Sequence, residues 1–103
     1  MTVSHEDFIQ EQLQEVDFQK DYLRETIIEF AQDGDYNEFY RSLEQIIKAR
    51  GTVKEFAEKT GLNRANLLDL LHGKTQTSPN FRTILKILDG LGYALTVTEK
   101  KRA

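Results

Sequence analysis

Residues 52–73, TVKEFAEKTGLNRANLLDLLHG, constrain this chain more than any other stretch, because almost every position in them has a structural job at fixed spacing. Thr52 followed by Glu55 marks a capping box, in which hydroxyl and carboxylate satisfy backbone donors that the first turn of a helix leaves unpaired. Val53, Phe56, Ala57 and Thr60 then fall on one helical face. Gly61 stands where a helix ends in a left-handed residue, a conformation that glycine adopts without a side-chain clash. Asn63 follows as the cap of a second helix, which sends Leu67, Leu70 and Leu71 inward and ends at Gly73. Two helices that cross after so short a turn need a small residue where they touch, and Ala57 is that residue. An alanine four positions before a glycine is commonplace by itself. With Leu62, the Asn63 cap and Leu67 also in place, the spacing predicts a helix-turn-helix rather than a helical hairpin that merely packs.

In such a motif the start of the second helix meets base edges in the major groove of duplex DNA. The candidates for base contact are Asn63, Arg64, Ala65 and Asn66, with Leu68 and Asp69 one turn further on. A guanidinium forks onto guanine and an amide onto adenine, so Arg64 and Asn66 have the right chemistry; Ala65 or Leu68 suits a thymine methyl, and Asp69 accepts from cytosine or orients Arg64. Phosphate contact and a surface ion pair are the other readings of Arg64. Thr52, Lys54, Lys59, Lys74, Thr75, Thr77, Asn80 and Arg82 lie near helix ends where phosphates pass, and are the candidate phosphate contacts. The alternative for each is an ordinary solvated side chain.

A formal net charge of -3 looks wrong for a polyanion binder until it is divided along the chain. Residues 1–50 hold 12 Asp or Glu against 5 Lys or Arg, a net of -7, and residues 51–103 hold 5 against 9, a net of +4. The basic half contains the helix-turn-helix. The acidic half repels DNA and is free to serve a basic partner.

The remaining elements read as follows. Residues 4–16 form a helix capped by Ser4, with Phe8, Ile9, Leu13 and Val16 as its apolar stripe. Residues 17–32 form a second, whose apolar surface (Phe18, Tyr22, Leu23, Thr26, Ile27, Phe30) is widened by Ile28 and Ala31. That excess leaves two readings: a helix sandwiched inside the monomer, or one with a partner-binding face, for which Phe18, Tyr22, Ile28 and Ala31 are the candidates. Asp35 with Glu38 starts a third helix over 36–50, which buries Phe39, Leu43, Ile46 and Ile47 and stops at Gly51. After the polar KTQTSPN loop, Ser78 or Asn80 caps a last helix with Phe81, Ile84, Leu85, Ile87, Leu88 and Leu91 inward, its end fraying at Asp89 and Gly90.

Tyr93 to Thr98 alternate like a strand, with Tyr93, Leu95 and Val97 on one side. No second strand is visible in the chain, so this segment either pairs with its own copy in a dimer, adds to another protein's sheet, or lies extended on the core without ladder bonds.

Some classes are disfavoured. There is no cysteine for disulfides or thiolate metal sites, no apolar run approaches a membrane span, and the start of the chain is unlike a signal peptide, so a cytoplasmic protein is expected. His5 and His72 have no neighbouring ligands, which leaves no metal or other cofactor expected; His72 reads as a favourable helix terminus. No catalytic constellation is visible, so no enzyme is expected.

Phe39 to Leu43, Ala49-Arg50-Gly51, the run Glu58 to Arg64, Leu67, Leu71, Gly73-Lys74, Ile84 to Leu88 and Leu91 to Leu95 together resemble the HigA-like addiction-module antitoxins with an Xre/Cro-type DNA-binding domain. The acidic lead-in before Asp33-Gly34-Asp35 is similar too. The resemblance implies an all-α, lambda-repressor-like helix-turn-helix bundle with an N-terminal two-helix extension (residues 1–35), a DNA-binding domain with a short C-terminal β-strand (36–98) and a tail (99–103). It implies an antitoxin that neutralises a basic RelE/HigB-like toxin and, as a homodimer, represses its own operon. Two features depart from the family: the longer loop Thr75 to Pro79, and an acid, Asp69, at a commonly basic place. A stand-alone repressor, or an interaction module without DNA binding, are the competing readings.

Overall fold

The element with the most buried circumference is the helix Tyr36–Arg50, and the rest of the molecule is assembled around it. The computed structural model describes residues 4–74 and 80–100, among which the regular structure is wholly helical: α1 (His5–Gln12), α2 (Val16–Asp33), α3 (Tyr36–Arg50), α4 (Val53–Thr60), α5 (Arg64–Leu71) and α6 (Phe81–Gly90). α3 starts where the Asp35 carboxylate accepts the Glu38 amide at 3.1 Å and ends on Lys48 and Arg50, cations suited to the negative end of a helix. Phe39, Tyr40, Leu43, Ile46 and Ile47 are buried, and so are Ser42, Glu44 and Gln45. Burial on that many faces requires several neighbours. α3 accordingly packs against α1, α2, α4 and α5, while α6 closes onto α4.

Polar ties fix these contacts. Gln10 of α1 donates to the Gln45 carbonyl at 2.8 Å and to its side chain at 2.6 Å. Arg50 donates to Gln19 Oε1 at 2.9 Å, to the Leu91 carbonyl at 2.6 Å and to the Tyr93 hydroxyl at 3.3 Å, which joins α2, the end of α6 and the following segment. Gly90, expected to fray, is instead where α6 touches α4: a Cβ there meets the Thr60 methyl and stands 3.0 Å from Phe56 Cζ, so the approach has no room for a side chain.

Several expectations are corrected. α1 ends at Gln12, because Leu13 is fully buried and its carbonyl is taken by the Gln19 amide at 2.6 Å; the chain bends there and α2 begins at Val16. On α6, Ile84, Ile87, Leu88 and Leu91 face inward, but Phe81 and Leu85 remain exposed, since the helix is apolar over a wider arc than its neighbours cover. The expected strand carrying Tyr93, Leu95 and Val97 is absent: among the described residues no strand forms, and this segment has no regular secondary structure. A lone strand has nothing among the described residues to pair with. Tyr93 is held half-buried by Arg50, whose guanidinium lies 5.5 Å from its ring centre, whereas Val97 is 97 % exposed.

Tyr40 is 1 % exposed, and its hydroxyl has no hydrogen-bond partner among the described residues. Burial, with a smaller contribution from Tyr36, raises its pKa above the usual 10.0. The neutral phenol is thus the form the fold accepts. Its contribution to stability is fully present below pH 10.0 and is lost as the pH rises through the elevated folded value. Tyr40→Phe removes an unsatisfied polar atom at nearly constant shape, and is expected to be neutral or to stabilise the fold by up to about 1 kcal/mol. Urea denaturation of the two proteins at neutral pH checks this; a loss above about 1 kcal/mol would show that the hydroxyl has a partner.

Candidate nucleic-acid interface

The α4–α5 pair is set by short-range chemistry. Thr52 Oγ1 accepts the Glu55 amide at 3.1 Å, and Glu55 Oε1 accepts the Thr52 amide at 3.3 Å, which completes the reciprocal cap. Gly61 at φ 75° turns the chain so that its own amide and that of Leu62, at 3.1 Å, both end on the Ala57 carbonyl. Asn63 Oδ1 then accepts the Asn66 amide at 3.0 Å and starts α5. Ala57 is buried at the junction, as are Leu67 and Leu71, which hold α5 against the core.

Anchoring by Leu67 and Leu71 turns the first turn of α5 outward. Arg64, Ala65, Asn66 and Asp69 are all exposed and Leu68 is half-exposed. Asn63 is exposed too, but its side-chain oxygen is committed to the cap, so its side-chain amide nitrogen, with two N–H donors, is what remains for an outside acceptor. Asn66 also borders a cleft of about 250 Å³ lined by Leu62, Leu67, Leu70 and Thr83, which brings the start of α5 alongside the first turn of α6. There Asn80 caps α6, accepting the Arg82 amide at 2.8 Å, and Arg82 is exposed.

Among the candidate phosphate contacts, Lys54, Lys59 and Lys74 are exposed. The Thr52 hydroxyl is engaged with Glu55 at 3.0 Å and its role is to start α4. Thr75 and Thr77 lie outside the described residues.

The far end of α5 carries a contact that spacing did not reveal. His72 Nε2 lies 2.6 Å from Glu44 Oε2, and the other Glu44 oxygen is 3.6 Å from Lys48 Nζ. His72 therefore does more than end a helix: it fastens α5 to the central α3. The Glu44 side chain is 12 % exposed, so the pair is partly shielded from water.

On α2 the proposed partner face divides. Phe18 and Tyr22 stack with ring centres 6.0 Å apart and pack half-buried against the core. Ile28 and Ala31 are exposed. Among the described residues no three His, Asp or Glu side chains gather into a metal-sized group, and no helix is long and apolar enough to cross a membrane.

The model of a protein family described as "Probable addiction module antidote protein" matches residues 4–99. No curated protein and no solved structure matches the chain.

Proposed function

Because the chain belongs to the family of probable addiction module antidote proteins, we propose that it is the antitoxin of a type II toxin-antitoxin system. In this reading it neutralises a basic RelE/HigB-like toxin and, as a homodimer, represses its own operon through a lambda-repressor-like helix-turn-helix formed by α4 and α5. The observation that carries the DNA-binding part is the exposed group Arg64, Ala65, Asn66 and Asp69 at the start of a helix whose opposite face is anchored by Leu67 and Leu71. Long polar side chains at the leading end of a braced helix are what base recognition in a major groove requires. The net of +4 over residues 51–103 adds attraction for phosphates, and the net of -7 over residues 1–50 suits a basic toxin.

Binding of the full chain to DNA upstream of its own gene, titrated against salt, tests the repressor half. If Lys54, Lys59, Lys74 and Arg82 each neutralise one phosphate, the logarithm of the association constant falls against the logarithm of salt with a slope of about -3.6 per protomer. A slope near zero would rule out phosphate contact and leave an interaction module. For the antitoxin half, the protein encoded beside this chain is expressed alone and together with it. Growth arrest relieved by co-expression is the expected result, and a harmless neighbour would favour a stand-alone repressor.

A further inference from the structure

The exposed Phe81 and Leu95, at 66 % and 47 %, stand at the rim of an open groove of about 340 Å³. Its deeper side is formed by Ile84 and Leu88 of α6 with Phe30 and Phe39 of the α2–α3 hairpin, so it is largely apolar, Tyr36 being the lining residue with a polar tip. Phe30 and Phe39, their rings 4.8 Å apart, also line a second cleft. That cleft is bordered by Glu29, Asp33, Asp35 and Glu38, and among the described residues no lysine or arginine lines either one. Glu38 is paired with Arg41 at 3.0 Å, Asp35 is committed to capping α3 and Asp33 accepts the Asp35 amide at 2.8 Å, which leaves Glu29 as the carboxylate best placed for an outside cation. An apolar groove and an acid-bordered cleft thus share Phe30 and Phe39 as walls.

We propose that this groove is the docking site for a basic, amphipathic segment of the toxin. Such a segment sinks apolar side chains between Phe81 and Leu95 and lays lysines or arginines beside Glu29. Charge complementarity selects this occupant: the groove shares two walls, Phe30 and Phe39, with a cleft bordered by carboxylates, in a half of the chain whose net charge is -7. No residue of α4 or α5 lines the groove; α6 is the shared element, with Phe81 at the groove and Arg82 among the candidate phosphate contacts. The inference rests on the antitoxin reading and relocates the partner surface from the Phe18–Tyr22 side of α2.

The test measures affinity between the full chain and the basic protein encoded beside it. The variants are Phe81→Glu, Leu95→Glu and Glu29→Lys, each compared with the parent by thermal melting and helix content, with Lys20→Ala and Arg24→Ala as controls on exposed α2 positions. Phe81→Glu is expected to weaken binding at least about 30-fold, as loss of a buried aromatic anchor does, with the controls near the parent value. If the controls lose affinity while Phe81→Glu and Leu95→Glu keep it, the groove is not the site although the antitoxin reading stands. If the parent protein itself does not bind its neighbour, the antitoxin reading falls. Sedimentation of the chain alone covers the remaining case: a dimer dissociated by Phe81→Glu with toxin binding intact makes a second copy the occupant and overturns the proposal.

Discussion

Leu43→Ala is expected to cost about 2–5 kcal/mol of folding stability. Leu43 is fully buried on α3, the helix that packs against both the N-terminal pair and the α4–α5 unit. Truncation loses the transfer free energy of the removed carbons and leaves a cavity that neighbours on two sides cannot both fill. A domain of this size has about 5–15 kcal/mol in total, so the variant loses a large fraction of it. Because the two halves share this one helix, partner binding and DNA binding should fail together at a temperature the parent tolerates. Urea denaturation followed by helical circular dichroism measures the loss. A change below about 1 kcal/mol would show that the core closes over the gap, and α3 would not be the shared support described above.

How much of this was legible in the sequence follows from the range of each interaction. The caps at Ser4, Asp35, Thr52, Asn63 and Asn80 all accept backbone amides as their spacing predicts, because a cap reaches only two or three residues. The boundary misplaced by spacing alone is the end of α1, read at residue 16 and found at Gln12; α2 then starts after Glu15, which makes no side-chain cap bond. Interactions that join distant residues left no trace. The Glu44–His72 contact spans 28 positions, and the Arg50 bonds to Gln19 and Leu91 span 31 and 41. Arg50 carries an obvious short-range role at a helix end, which concealed its long-range one.

Orientation was legible only where the apolar arc is narrow. On α3 the pattern picks out Phe39, Leu43, Ile46 and Ile47 but not the burial of Tyr40, Ser42, Glu44 and Gln45, and α6 is apolar over so much of its surface that the pattern cannot tell Ile84 from Phe81. Which side is covered depends on where α4 and the α2–α3 hairpin come to lie. The same holds for Tyr93 to Val97: alternation records the capacity to form a strand, and pairing needs a neighbouring strand, of which there is none among the described residues. At the candidate interface, residue types and exposure agree with the spacing for Arg64 and Asn66, whereas the Thr52 hydroxyl and the Asn63 side-chain oxygen are spent on starting helices.

If Arg64 forks onto a guanine and Asn66 onto an adenine, Arg64→Ala combined with Asn66→Ala is expected to weaken binding to the operator by about 2–6 kcal/mol, since each bidentate base contact is worth about 1–3 kcal/mol of discrimination. Both are exposed, so truncating them leaves the buried Leu67 and Leu71 anchors of α5 untouched, and the thermal midpoint should barely move. The type of loss separates the possible roles of Arg64. Loss of a base contact lowers affinity for the operator while leaving affinity for unrelated duplex almost unchanged, because non-specific binding comes from the phosphates. Loss of a phosphate contact weakens every sequence alike and reduces the steepness of the salt dependence by about one phosphate. Asn66 carries no charge, so Asn66→Ala alone should leave that steepness as it is and still lower specific affinity. Titrations of operator and scrambled duplexes with both single variants and the double one distinguish these cases. Unchanged operator affinity in the double variant would remove the start of α5 from the recognition surface, and with it the reason for reading α4–α5 as a DNA-binding unit.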